Sequence, residues 1–257
     1  MTIFQSIFLG LIQGITEFLP ISSSGHLAFF QNLWHLPKQS VVFDILLHSG
    51  TLMAILIFFR RDLIDILRKK RFQLIILLFI ASLPAGFFGY LFETKIEQSF
   101  ASLKLIALGF LFTAFFLFIS KYSPAKKDIK NISKSDAFII GLAQALALLP
   151  GVSRSGLTIS SAILRKIKPE AAYQFSFFLL IPITLGAIVL KIPALSKEIS
   201  NGSLPYYFFG TLTSFLTGIL SLRFLSTIIK KKEFYWFSIY LIIMAGVCLI
   251  LNKTLLI

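Results

Sequence analysis

Residues 136–168 read DAFIIGLAQALALLPGVSRSGLTISSAILRKIK, and this stretch decides the fold. Two apolar arms, 136–149 and 156–164, flank the break Pro150-Gly151-Val152-Ser153-Arg154-Ser155-Gly156. Lys121, Lys126, Lys127, Lys130 and Lys134 precede the stretch, and Arg165, Lys166 and Lys168 close it. Lys and Arg next to apolar spans stay on the cytoplasmic side of a membrane. Both ends are therefore predicted to lie on one side. A helical span takes about 20 apolar residues, so arms of 14 and 9 residues are too short to cross. The stretch is predicted to enter the bilayer and return as a re-entrant hairpin. Its broken tip is tolerable there only if it is buried in protein or lines a wet cavity.

The rest of the chain makes a bilayer the right solvent. Of 257 residues 56% are hydrophobic, 29 are Phe and 14% are charged; the mean hydropathy is +0.86. Soluble domains carry about 25% charged residues and could not hide this much apolar surface. Six further segments are long enough to span: 41–59, 72–92, 102–120, 171–191, 205–228 and 234–252. The net charge of +14 would suggest nucleic acid in a soluble protein. Here 17 of the 25 Lys and Arg fall in four short places, 60–71, 121–134, 165–168 and 230–232. They read as topology charges beside anionic lipid, with no nucleic-acid partner. A single cysteine, Cys248, excludes an intramolecular disulfide and a thiolate metal cluster. The N-terminus lacks the basic region and small-residue site of a cleaved signal peptide.

The segment 3–30 has the same architecture as 136–164. Its break is Pro20-Ile21-Ser22-Ser23-Ser24-Gly25. Helix 41–59 must end in the cytoplasm at Arg60, which puts the loop 31–40 outside. A hairpin over 3–30 then enters from the outer face, with the N-terminus outside, and its tip can meet the other tip at mid-membrane. Gly10-Leu11-Ile12-Gln13 precedes Gly25 as Gly141-Leu142-Ala143-Gln144 precedes Gly156, by 15 residues in both cases. The expected fold is all-α and polytopic, with six transmembrane helices, two opposed re-entrant hairpins and an inverted-topology repeat of about 1–120 and 136–252 in one membrane domain.

The tips hold the candidate chemistry. Glu17 is the only acidic residue of the first apolar segment, and a carboxylate at membrane depth is expensive and usually functional. Gln13 lies one turn earlier on the same helix face. Ser22, Ser23, Ser24 and Gly25 form a turn or cap, and His26 is either a satisfied polar group or a base or nucleophile. His35 is expected in an exposed loop. Asp44 and His48 are four residues apart on one helix face and are expected to pair in packing or behind the site. Arg154 stands alone among Gly151, Ser153, Ser155, Gly156 and Thr158. Glycines, free helix N–H groups, hydroxyls and a guanidinium make an anion site, and the guanidinium fork suits phosphate. Arg154 can equally neutralise Glu17. This equipment suits phosphoryl transfer and does not suit an ion pore, which needs a lined channel.

The two motifs, Gln13 to His26 and Pro150 to Thr158, closely resemble those of the bacterial undecaprenyl-diphosphate phosphatase family of bacitracin-resistance type, and the likeness covers essentially the whole chain. The resemblance implies removal of one phosphate from undecaprenyl diphosphate. That step regenerates the lipid carrier for peptidoglycan and other envelope polymers. It also implies a divalent cation, Mg²⁺ or Ca²⁺, a cytoplasmic-membrane location with the site open to the outer side, and homodimers. Carried over by position, the family's essential Glu falls on Glu17, its serine on Ser23, its His on His26 and its Arg on Arg154. Ser22, Ser24, Gly25, Gly151, Ser153, Ser155, Gly156 and Thr158 fall in the same motifs as substrate-pocket positions. Many members have Glu where this chain has Gln13, so Glu17 must carry more of any metal-binding role, with Gln13 behind it. The nucleophile is left open among His26, Ser23 and water. The rival reading is a polyprenyl-phosphate transporter or flippase, because broken helices in inverted repeats are also a transporter signature.

Overall fold

The computed structural model describes residues 1–34, 36, 41–198, 204–231 and 233–254; His35 and most of the loop expected outside fall beyond them. Among the described residues twelve α-helices follow one another: α1 (Ile3–Thr16), α2 (Ser23–Leu33), α3 (Val41–Phe58), α4 (Arg60–Arg68), α5 (Phe72–Leu91), α6 (Glu93–Ser99), α7 (Leu103–Ser120), α8 (Lys134–Leu146), α9 (Arg154–Leu164), α10 (Pro169–Glu198), α11 (Leu204–Lys231) and α12 (Phe237–Thr254). The only extended pairing among the described residues is one isolated bridge, Lys127 with Ile167.

Five helices, α5, α7, α10, α11 and α12, are long and apolar enough to cross a membrane. A sixth crossing requires α3 and α4 to be taken together across a 66° bend. The basic linker expected at 60–71 is thus partly helical. Phe79, Phe87, Val189, Leu220 and Ile250 are between 62% and 65% exposed on the outer faces of these helices. In water such a surface would drive aggregation, whereas lipid tails solvate it.

Both interrupted segments form pairs of short helices. Thr2 and Gln5 make a capping box that starts α1, and Ser133 and Asp136 make one that starts α8. After each break a serine restarts the helix. Ser22 Oγ accepts the Gly25 N–H at 3.2 Å, and Ser153 Oγ accepts the Gly156 N–H at 3.1 Å. Arg154 is therefore the first residue of α9, which starts two residues ahead of the arm expected at 156–164. The far ends of each pair come back together. Phe8 of α1 packs on Phe30 and Trp34 at 4.9 and 5.1 Å. Asp136 at the start of α8 accepts from Arg165 Nε just past α9 and from Lys127 Nζ, both at 2.8 Å. Burial of the Asp136 carboxyl opposes its charge, but Lys127, the Ser133 N–H and Arg165 together hold its pKa below the ordinary Asp value.

The basic groups also gather. Lys126 and Lys127 N–H donate to the Lys166 carbonyl at 2.8 Å. Lys121 lies 4.3 Å over the Tyr235 ring. The helix packing has a crossed pattern: α1 lies on α11 and α8 on α5, α3 packs on α11 and α10 on α5, and α7 lies along α12. The first-arm glycines sit at these crossings. A Cβ on Gly10 would run into the Gly210 carbonyl, and one on Gly141 would meet the Ala81 carbonyl at 2.5 Å. Small residues let helix backbones approach closely where the hydrophobic effect cannot drive association.

Candidate functional site

The two tips touch. A Cβ on Gly25 would lie 2.8 Å from the Cα of Gly151, and Gly151 has φ +78°, which favours glycine. Beneath the second tip, Ser153 N–H donates to Thr113 Oγ1 of α7 at 2.9 Å. At the junction Arg154 Nη2 donates to Glu17 Oε1 at 2.7 Å. These residues are 137 apart in sequence. Arg154 also reaches the Ser176 carbonyl at 3.4 Å and lies over the Phe177 ring at 5.9 Å.

The second Glu17 oxygen is as heavily used. Ser23 Oγ donates to Oε2 at 2.5 Å, Gln13 Nε2 donates to it at 3.1 Å, and His48 Nδ1 lies 3.4 Å away. The Gln13 amide orientation follows, because a carboxylate needs a donor opposite it. His48 Nδ1 then accepts from the same Nε2 at 2.8 Å, so the ring carries its proton on Nε2. Gln13 Oε1 is buried and has no protein partner, an acceptor left over beside the carboxylate. Glu17 is 6% exposed and Gln13 fully buried, so these contacts act in a weakly screened environment.

These groups open on a cavity of about 290 Å³ with two contrasting walls. Glu17, Ser22, Ser23, Ser24, His48, Ser153 and Arg154 form a polar floor. Ile96, Phe100, Leu180, Ile183, Ala187 and Ile188 from α6, its C-terminal flank and α10 form an apolar side. The free N–H groups at the starts of α2 and α9 add positive ends of helix dipoles near the polar floor. The arrangement accepts an anionic head attached to an apolar chain.

Several expected site residues support this floor from behind instead of lining it. Ser155 Oγ donates to the Leu19 carbonyl at 3.0 Å and lies 3.2 Å from Ser153 Oγ. Thr158 bonds the Arg154 carbonyl at 2.8 Å and Ser176 Oγ at 2.5 Å. Gly25 and Gly151 serve close backbone packing, and Gly156 makes room for the Thr113 and Ser153 side chains. His26 is 2% exposed and does not line the cavity. Its Nδ1 meets the Ser22 carbonyl at 2.8 Å and its Nε2 meets Tyr240 Oη at 2.7 Å. Ser22 is held at φ 68°, ψ 94°. A non-glycine residue there costs about 1–3 kcal/mol and persists only where its surroundings fix it.

Two features escaped sequence reasoning. His48 does not pair with Asp44, which accepts from Gln31 Nε2 at 2.9 Å; it faces Glu17 instead. Helical spacing allows the Asp44–His48 pair, and only the packing of α3 on α1 decides against it. The apolar wall had no sequence signal, since Leu180 and Ile183 look like any lipid-facing pair.

Comparison with known proteins agrees with the geometry. The family model for bacitracin resistance protein BacA matches residues 6–247. An undecaprenyl-diphosphatase of Thermosipho africanus is 42% identical over 245 residues, 93% of this chain and 96% of the relative. One from Carboxydothermus hydrogenoformans is 36% identical over 98% of both chains, and one from Caldicellulosiruptor bescii 39% identical over 97% of both. The chain belongs to the bacitracin resistance protein BacA family.

Proposed function

We infer that the chain hydrolyses undecaprenyl diphosphate to undecaprenyl phosphate and inorganic phosphate. The carrying observation is the cavity in which Arg154, Glu17 and serine hydroxyls form a polar floor beside an apolar wall. A diphosphate head sits on the floor, and the start of the prenyl chain lies along α10. Family membership supports this chemistry over a carrier role. The outer phosphate takes Arg154, which turns to it from Glu17. Arg154 and the N–H groups at the start of α9 stabilise the charge on the transferring phosphoryl group.

Ser23 is the nucleophile this geometry favours. It lines the cavity and already donates its proton to Glu17 Oε2 at 2.5 Å. As Ser23 Oγ bonds to phosphorus, its proton passes to Glu17 and the bridging P–O bond breaks. Undecaprenyl phosphate leaves with the bridging electrons. Water then attacks the phosphoserine, Glu17 returns its proton to Ser23 Oγ as that P–O bond breaks, and inorganic phosphate leaves carrying the oxygen and protons of the water. His26 is a poorer nucleophile, because both ring nitrogens are engaged away from the cavity.

The residues present fit a divalent cation that arrives with the substrate. Among the described residues no three His, Cys, Asp or Glu side chains cluster as a ligand set. Glu17 lines the cavity as a carboxylate donor, and the partnerless Gln13 Oε1 is buried behind it. Mg²⁺ is commonly held by one or two carboxylates plus substrate phosphates and water. Held there by Glu17, such a cation would supply charge neutralisation for the diphosphate.

We also propose the finer topology. The paired short helices α1–α2 and α8–α9 are re-entrant and enter from opposite faces of the cytoplasmic membrane, with the site open to the outer side. Exchanging the halves maps α1 on α11 to α8 on α5, and α3 on α11 to α10 on α5, which supports an inverted repeat of about 1–120 and 136–252. The test is phosphate release by purified protein from undecaprenyl diphosphate in detergent, with Glu17→Ala, Ser23→Ala and Arg154→Ala alongside. Loss in all three is expected. Normal release by Ser23→Ala would exclude serine attack. Lipid translocation into liposomes without any hydrolysis would favour a carrier.

A further inference from the structure

We propose that Tyr240 of α12 is a positioning residue for the phosphatase reaction: acting through His26, it holds the Ser22 carbonyl and thereby sets Ser23 at the cavity. The proposal rests on the reading of Ser23 as the attacking group. It starts from an asymmetry in how the tips are held. The second tip is anchored by α7, through Thr113 under Ser153. Beneath the first tip, the polar contact from the C-terminal helix is Tyr240 to His26, between residues 214 apart in sequence.

The hydrogen bonds run in one direction. A carbonyl only accepts, so His26 Nδ1 carries the proton donated to Ser22 O at 2.8 Å. In the neutral ring Nε2 is then an acceptor, and Tyr240 O–H donates to it at 2.7 Å. The two rings lie nearly parallel, at 9° and 5.7 Å, and Phe110 lies 5.2 Å from the imidazole. The imidazole is thereby fixed in orientation and tautomer by a group outside the cavity.

What the imidazole holds is the strained residue of the tip. Ser22 has positive φ without being glycine. Its carbonyl takes the His26 ring N–H and also the His26 backbone N–H at 3.2 Å. Its Oγ caps Gly25. Releasing the carbonyl lets Ser22 relax, and the adjacent Ser23 Oγ swings off the Glu17 carboxylate. On this account His26 is required without touching phosphorus.

The experiment uses purified full-length protein and undecaprenyl diphosphate, with Tyr240→Phe, His26→Ala, His26→Asn and the His26→Asn/Tyr240→Phe pair. Tyr240→Phe removes one neutral hydrogen bond, and kcat is expected to fall about tenfold with KM changed less than about twofold. His26→Ala falls further. The asparagine amide N–H stands where Nδ1–H stood, so His26→Asn recovers most of what alanine loses, and adding Tyr240→Phe to it changes little. His26→Asn as inactive as His26→Ala, or a trapped phosphohistidine on His26, overturns the proposal. So does Tyr240→Phe with wild-type kcat. Nitrogen NMR of the histidine rings reads the contact without turnover. His26 Nδ1 is expected protonated and Nε2 unprotonated, with the Nε2 signal shifted in Tyr240→Phe; the opposite tautomer overturns the proposal. A wild-type protein that releases no phosphate, yet shows this tautomer, overturns the phosphatase reading on which the proposal rests.

Discussion

Replacing Arg154 with Met and Glu17 with Gln, singly and together, separates the stabilising role of their ion pair from its role in turnover. Glu17 and Arg154 side chains are 5% and 15% exposed and 2.7 Å apart. Removing one partner from a buried pair typically costs about 3–5 kcal/mol, because the other charge is left uncompensated. Arg154→Met sits at the low end, about 3 kcal/mol, since Glu17 keeps Ser23 and Gln13 as donors. Glu17→Gln leaves the Arg154 charge with neutral acceptors, an amide and the Ser176 carbonyl at 3.4 Å, and no counter-charge, and costs as much or more. The double substitution leaves neither charge and recovers about 2 kcal/mol relative to either single change. For a chain of this size about 2–4 °C of Tm accompanies each kcal/mol, so the single variants are expected to melt about 6–12 °C lower and the double variant to regain about two thirds of that. Thermal unfolding in detergent without substrate measures this. Phosphate release must behave differently: all three variants lose at least about a hundredfold in kcat/KM, because one removed transition-state donor alone costs that much. A double variant less stable than both singles would refute the pairing. A double variant that regains turnover along with stability would refute the assignment of both residues to the reaction.

Three further outcomes are expected. EDTA abolishes phosphate release and added Mg²⁺ restores it, and Gln13→Glu, which places a second carboxylate beside Glu17, lowers the Mg²⁺ concentration for half-maximal rate; an unchanged Mg²⁺ titration would count against a cation held at Glu17 with Gln13 behind it. Ile183→Trp narrows the apolar wall and raises KM for the long-chain lipid about tenfold with kcat preserved, and equal KM values would remove the prenyl chain from that wall. Asp136 has a pKa depressed below its ordinary value, so its contribution to stability is complete above pH about 4, where the unfolded carboxyl is ionised, and is lost as pH falls toward the folded pKa. Thermal unfolding of Asp136→Asn against pH should therefore lack the acid-side fall seen in the parent, and parallel curves would refute the role of the Lys127–Asp136–Arg165 cluster.

Much of this protein is legible in its residues. Span length and charge placement act locally, so apolar runs and basic linkers mark the crossing helices and the ends that return together. The breaks at Pro20–Gly25 and Pro150–Gly156 are equally local, because serine caps and glycine conformations are decided within a few residues. Glu17 and Arg154 stood out because a lone charge in apolar sequence demands a partner. Their pairing, one of the readings the sequence allowed, is made by a contact across 137 residues. The same nonlocality moved the histidines. His48, expected beside Asp44, turns to Glu17 because α3 packs that face against α1. His26, which the sequence left open between a satisfied polar group and a base or nucleophile, lies behind the tip against Tyr240. Local sequence settled which groups are costly to bury in a membrane, and tertiary packing alone decided which of them face one another, because that choice depends on helix crossings and not on spacing along the chain.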